Sequence, residues 1–133
     1  MNHGRKNIVF GFCYLVILLI MGMFLAIKLK DTAWAKEPFA FPRVVIRAAH
    51  AHGNLESVLN ILIGLLVDRI SVGDGLKKTI SILMIIGAVM HSGMLLLTPL
   101  FPAISNLAVV GAITLVIAIA LMAYGAIAGI EKK

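Results

Sequence analysis

The sequence predicts an all-α integral membrane four-helix bundle, and three observations lead there. Hydrophobic residues make up 61% of the 133 positions and charged residues only 14%, with a mean hydropathy of +1.04. Soluble domains carry about 45–50% apolar and about 25% charged residues. The charges collect in short stretches between apolar runs, and each run is about long enough to cross a hydrocarbon core of roughly 30 Å. The length favours a single domain, residues 1–133, with spans near 8–27, 48–67, 79–97 and 104–130.

The first run, Ile8 to Ile27, contains no charge and reads as a spanning helix. Arg5 and Lys6 before it and Ala33-Trp34-Ala35 after it also suit a secretory leader. The run exceeds the ~7–15 residues of a leader's apolar region, and Lys28, Lys30 and Asp31 intervene before the small residues. A retained helix is therefore expected. Residues 28–47 form a basic connector in which Trp34, Phe39 and Phe41 mark a membrane interface. Pro38 and Pro42 argue against a long regular helix there.

The second span, about 48–67, differs from the others because it contains His50, His52, Asn54, Glu56 and Asn60. A short polar turn with Asp68, Arg69, Gly73, Asp74, Gly75, Lys77 and Lys78 follows. The third span, about 79–97, holds one ionisable group, His91, and ends at the Pro99–Pro102 turn. The fourth, about 104–130, is nearly all apolar and exceeds the bilayer by tilting. Its small residues, among them Gly111, Ala118 and Gly125, permit close helix approach.

The net charge is +6, from 12 Lys and Arg against 6 Asp and Glu. These basic residues flank apolar segments, where they meet anionic headgroups, so the expected partner is the lipid bilayer and not nucleic acid. Four spans put both termini on one side. That side carries Arg5, Lys6, Arg69, Lys77, Lys78, Lys132 and Lys133, against Lys28, Lys30, Lys36, Arg43 and Arg47 on the other. The excess places both termini in the cytoplasm, as in a bacterial inner membrane protein. The lone Cys13 lies within the first run and excludes an intrachain disulfide.

Ionisable groups inside a membrane are costly, which makes the second span the candidate site. Successive helical residues turn by about 100°, so His52, Glu56 and Asn60 share one face. His50 and Asn54 share another, because His50 and His52 stand about 200° apart. The two histidines therefore cannot ligate one metal ion from a straight helix, although each can serve a different group. Imidazole nitrogen suits iron, copper and zinc, and Glu56 could orient the ring, join the ligand set or relay a proton. The competing reading leaves both histidines solvated at the interface, which does not explain Glu56 and Asn60 deeper on the same face. His91 is expected either to bond a neighbouring helix or to pair with Glu56 or Asn60. The methionines read as packing. Met1-Asn2-His3 matches a square-planar copper or nickel pattern of amine, two amides and imidazole.

Two resemblances rest on these residues. His50-Ala51-His52 near the end of a span resembles the heme-ligating helix of heme-copper oxidases. The four-span layout, with Ala49-His50 and Gly53, resembles styrene oxide isomerase and hydroxylaminobenzene mutase. The asparagine that those proteins carry six residues after the histidine is Glu56 here, and Asn60 comes a turn later. Gly87 to Gly93 lines up with the isomerase's third span, but its aspartate and tyrosine correspond to Gly87 and Leu95. The resemblance implies a trimer with heme b between subunits and His50 as axial ligand. The missing acid and phenol leave the isomerase chemistry without its groups.

Taken together, the expected protein binds heme b or a transition metal through His50 and His52, with Glu56, Asn60 and His91 as further cofactor-binding residues, in a homo-oligomer. The alternative is a non-enzymatic accessory subunit of a larger membrane complex, its polar residues satisfying partner helices. A third reading is a proton conduit through Glu56 and His91.

Overall fold

Four long helices pack together among the described residues of the computed structural model, which are 2–31, 36–37 and 39–130. They are α1 (Gly4–Lys28), α2 (Phe41–Leu66), α3 (Asp74–Leu97) and α4 (Ser105–Ala128). Three of the four, α4 counted with the short turn Pro102–Ile104 before it, are long and apolar enough to cross a membrane. The chain is an all-α integral membrane bundle. Side chains such as Val16, Ile20 and Phe24 of α1, and Val109, Val116 and Ile127 of α4, point outward. Lipid tails are the solvent that makes this arrangement stable. Trp34 and Pro38 of the expected interfacial connector lie outside the described residues.

The second helix begins at Phe41, well before the expected start near residue 48. Pro42 occupies its first turn, where the missing N–H would have no intrahelical partner and the fixed φ favours helix. Arg43 and Arg47 are consequently helical, and His50 and His52 stand near the middle of α2 rather than at its start.

α1 buries Gly4, Asn7, Gly11, Leu18 and Leu25, one helical stripe, against α2. The backbones meet where Gly4 faces Gly64: a Cβ on Gly4 would strike the Gly64 carbonyl. On the other side, α3 and α4 close an apolar core of Ile63, Val67, Ile70, Ile80, Met84, Leu115 and Ala118. Within α3 the turn Val89–Gly93 widens to π-helix. Gly111 of α4 lies directly on it, and a Cβ there would overlap the backbone of Met90 and His91.

The ends of the helices are tied by polar contacts. The Asp68 carboxylate, after α2, accepts from the backbone N–H groups of His3 (3.0 Å) and Gly4 (2.9 Å). It caps α1 from outside the helix, supplying negative charge where the helix dipole is positive. The same bond occupies the His3 amide, which a square-planar metal site at the N-terminus would have to deprotonate. Met1 of that pattern lies outside the described residues. Near the C-terminus, the Ser71 N–H donates to the Gly129 carbonyl at 2.8 Å, and Gly129 adopts φ 130°, open to glycine.

Asp68→Ala is expected to lower stability by about 1–2 kcal/mol, the loss of a helix cap with its charge. The midpoint of SDS-driven unfolding in mixed micelles would measure it. A midpoint equal to that of the parent protein would remove the cap from the account of α1.

Candidate metal centre

The interior of the bundle holds two layers of polar side chains. The layer nearer the termini joins α1, α2 and α3 through Asn7, Asn60 and Ser81, of which Asn7 and Asn60 are fully buried. Asn7 Nδ2 donates to Asn60 Oδ1 at 2.8 Å and to the Ser81 carbonyl at 3.0 Å. Ser81 Oγ in turn meets Asn7 Oδ1 and the His3 carbonyl. Asn60 Nδ2 donates to the Glu56 carbonyl at 3.0 Å. Each amide is therefore satisfied inside the chain, as a buried amide in a low dielectric requires.

The second layer, one turn along α2, is built around Glu56, whose side chain is almost wholly buried. Its two carboxylate oxygens have different partners. Oε1 lies 2.6 Å from Nδ1 of His91, and Oε2 accepts from Ser92 Oγ at 2.5 Å. Consecutive residues on a regular helix diverge by about 100°. The widened turn of α3 brings both His91 and Ser92 to one carboxylate. Ser92 Oγ also lies 2.8 Å from the Tyr14 hydroxyl of α1. Ser92 has one proton, and the Glu56 oxygen at 2.5 Å is closer than the Ala88 carbonyl at 3.2 Å. With the Ser92 hydroxyl donating to Oε2, Tyr14 donates to Ser92, and three helices are joined by one chain of hydrogen bonds.

His52 completes this layer. Its ring stands 4.8 Å from that of His91, centroid to centroid, tilted by 56°. One donor atom from each of His52, Glu56 and His91 lies within 4.8 Å of the others. Nδ1 of His91 and Oε1 of Glu56, 2.6 Å apart, are close enough to take one ion in place of the proton between them. His52 is exposed on the outside of the bundle, whereas His91 is partly covered and Glu56 is inside.

The structure thus gathers His52, Glu56 and His91 and leaves His50 and Asn60 out of that group. Asn60 belongs to the lower layer. His50 faces α1: its Nδ1 lies 3.0 Å from the Leu18 carbonyl, and Asn54 Nδ2 is 3.3 Å from both ring nitrogens. Gly22 leaves the space its ring fills. His50 also lines an apolar groove of about 700 Å³ between α1 and the first half of α2, with Arg47, Leu25, Ala26 and Phe39. Tyr14, Ser92, Asn7 and Ser81 did not stand out in the sequence. Ser92 directly follows His91, and Asn7 and Tyr14 are seven apart on one face of α1, which is the signal that points to them. Comparison with known protein families, curated proteins and solved structures finds no match.

Tyr14→Phe and Ser92→Ala are expected to be non-additive in stability by about 0.5–3 kcal/mol, as members of one hydrogen-bonded chain are. A double-mutant cycle on unfolding in mixed micelles reads this directly, and simple additivity would mean that Tyr14 and Ser92 act separately.

Proposed function

We propose that this chain is a membrane-embedded metal-binding protein in which His52, Glu56 and His91 supply two imidazoles and a carboxylate to one transition-metal ion. The observation that carries the reading is the convergence of one donor atom from each of three side chains within 4.8 Å of one another where α2 meets α3. Two histidines and one carboxylate form the donor set of non-heme iron(II) sites and of catalytic zinc sites, and both leave coordination positions open. Ser92, joined to Tyr14, donates to Oε2 of Glu56 and leaves Oε1 beside Nδ1 of His91, so the carboxylate is oriented from behind. Such support affects metal affinity nearly as much as the ligands themselves.

A second reading keeps heme b, which the likeness to the small four-span isomerases implies, with His50 as axial ligand. It is favoured by the groove beside His50, whose size falls within the range of about 300–1,000 Å³ common for ligand pockets and whose rim holds Arg47 for an anionic group. If Nδ1–H of His50 donates to the Leu18 carbonyl, the remaining nitrogen is the ligating one. Asn54, 3.3 Å from that nitrogen, would have to turn aside. On this reading the trimer and the heme between subunits come with the likeness.

Protein purified without chelators is expected to hold about one iron or zinc per chain by elemental analysis, as one metal site requires. In His91→Ala and Glu56→Gln affinity falls by at least ~10–100-fold, the range for groups that only support ligands. A Soret band lost in His50→Ala would move heme to first place. A colourless, metal-free protein that co-purifies with a larger complex would favour the accessory-subunit reading instead.

A further inference from the structure

We infer that the open side of the His52–Glu56–His91 centre faces the hydrocarbon phase, so that its exogenous ligand is an uncharged, lipophilic Lewis base dissolved in the bilayer. The inference rests on the metal reading above and adds where the ligand comes from and what it is.

Depth is the first observation. Beside His52, Gly53 packs on Leu18, which stands ten residues from Ile8 and nine from Ile27 in the charge-free run of α1, about 15 and about 14 Å at 1.5 Å per residue. A hydrocarbon core is roughly 30 Å thick, so a span that fills it puts this level near its middle. Closure on the protein side is the second. Towards the chain termini the site is backed by Asn60, Asn7 and Ser81, and on its inner side by Ser92, all buried and engaged with one another or with Glu56. Above it, Gly53 packs on the Leu18 side chain and Ala49 is fully buried. The apolar groove beside His50 lies on the other face of α2 and does not include His52 or Glu56. Exposure is the third. Of the three ligands, only His52 lies open at the bundle surface, one turn from the exposed Leu55. A metal held there would present its free positions sideways, to acyl chains.

A charged or strongly hydrated ligand at that depth would have to shed its water in hydrocarbon, a cost that a neutral carbonyl, ether, phenol or imidazole largely avoids. The chemistry that reaches the metal is therefore selected first by partition into lipid and only then by donor strength.

The test uses the full chain in lipid nanodiscs loaded with Co(II), whose visible d–d bands report changes in coordination. A series of 1-alkylimidazoles is titrated, followed by an imidazole carrying a sulfonate. The alkyl series is expected to shift the bands, with the half-saturating aqueous concentration falling about fourfold per added methylene, the partition gain of ~0.8 kcal/mol per CH₂. The sulfonated imidazole is expected to leave the spectrum unchanged at aqueous concentrations a hundredfold above those that saturate the butyl compound. An equal response to the sulfonate would overturn the inference, since it would place the open positions in water. Silence of every imidazole with cobalt bound would overturn it too, since the centre would then be closed by the chain or by a second copy. Absence of cobalt bands in the parent protein, or bands unchanged in His91→Ala, would instead count against the metal centre itself.

Discussion

A carboxylate buried inside an apolar membrane bundle is the constraint around which this bundle is organised. Glu56 is buried by the protein, and an unsatisfied charge inside a membrane protein is among the most costly defects it can carry. The fold answers with donors from two other helices: His91 and Ser92 of α3 directly, and Tyr14 of α1 through Ser92. The positions of α1 and α3 relative to α2 are thus set by where hydrogen bonds must end. Lipid tails are as apolar as leucine, so apolar contact alone gives little preference for one helix arrangement over another. Polar pairing and close backbone fit supply that preference here.

The close fit has its own requirements. Donors on α1 reach α2 only because Gly4 and Gly64 let the two backbones touch. His91 and Ser92 reach one carboxylate only because the turn that carries them is widened, and Gly111 of α4 lets a neighbouring helix lie flat against that turn. Widened turns of this kind recur at functional sites, where they re-aim side chains that a regular helix would spread apart. The lower layer of Asn7, Asn60 and Ser81 repeats the logic with amides and without charge, and it isolates the carboxylate layer from the end of the bundle that carries the termini.

The two faces of α2 do different things. One face carries His50, held by the Leu18 carbonyl and Asn54 against α1 beside an apolar groove. The opposite face carries His52 and Glu56, which meet His91. A helix with about 100° per residue necessarily separates two histidines spaced by two positions. Only the second face gathers donors from two helices around one point, and that is why the metal reading is placed there and heme is placed at the first.

The sequence by itself determined the membrane class, the all-α architecture and the helix on which the polar chemistry is concentrated. Apolar run length and charge placement are local properties that depend on lipid thickness and not on the neighbouring helices. It also determined that His52, Glu56 and Asn60 share a face and that His50 does not, since helical periodicity alone decides this. The tertiary structure decided which members of that face act together. His91 lies 35 positions from Glu56 in sequence, and no local pattern reveals that they meet. Tyr14 and Ser92 acquire their roles only where the helices meet, and Asn60, on the same face as Glu56, commits its amide oxygen to Asn7. The start of α2 also depended on context, because proline breaks a helix in its interior and favours one in its first turn. Side-chain convergence depends on helix rotation and depth, which the packing of glycines and the pairing of buried polar groups set together.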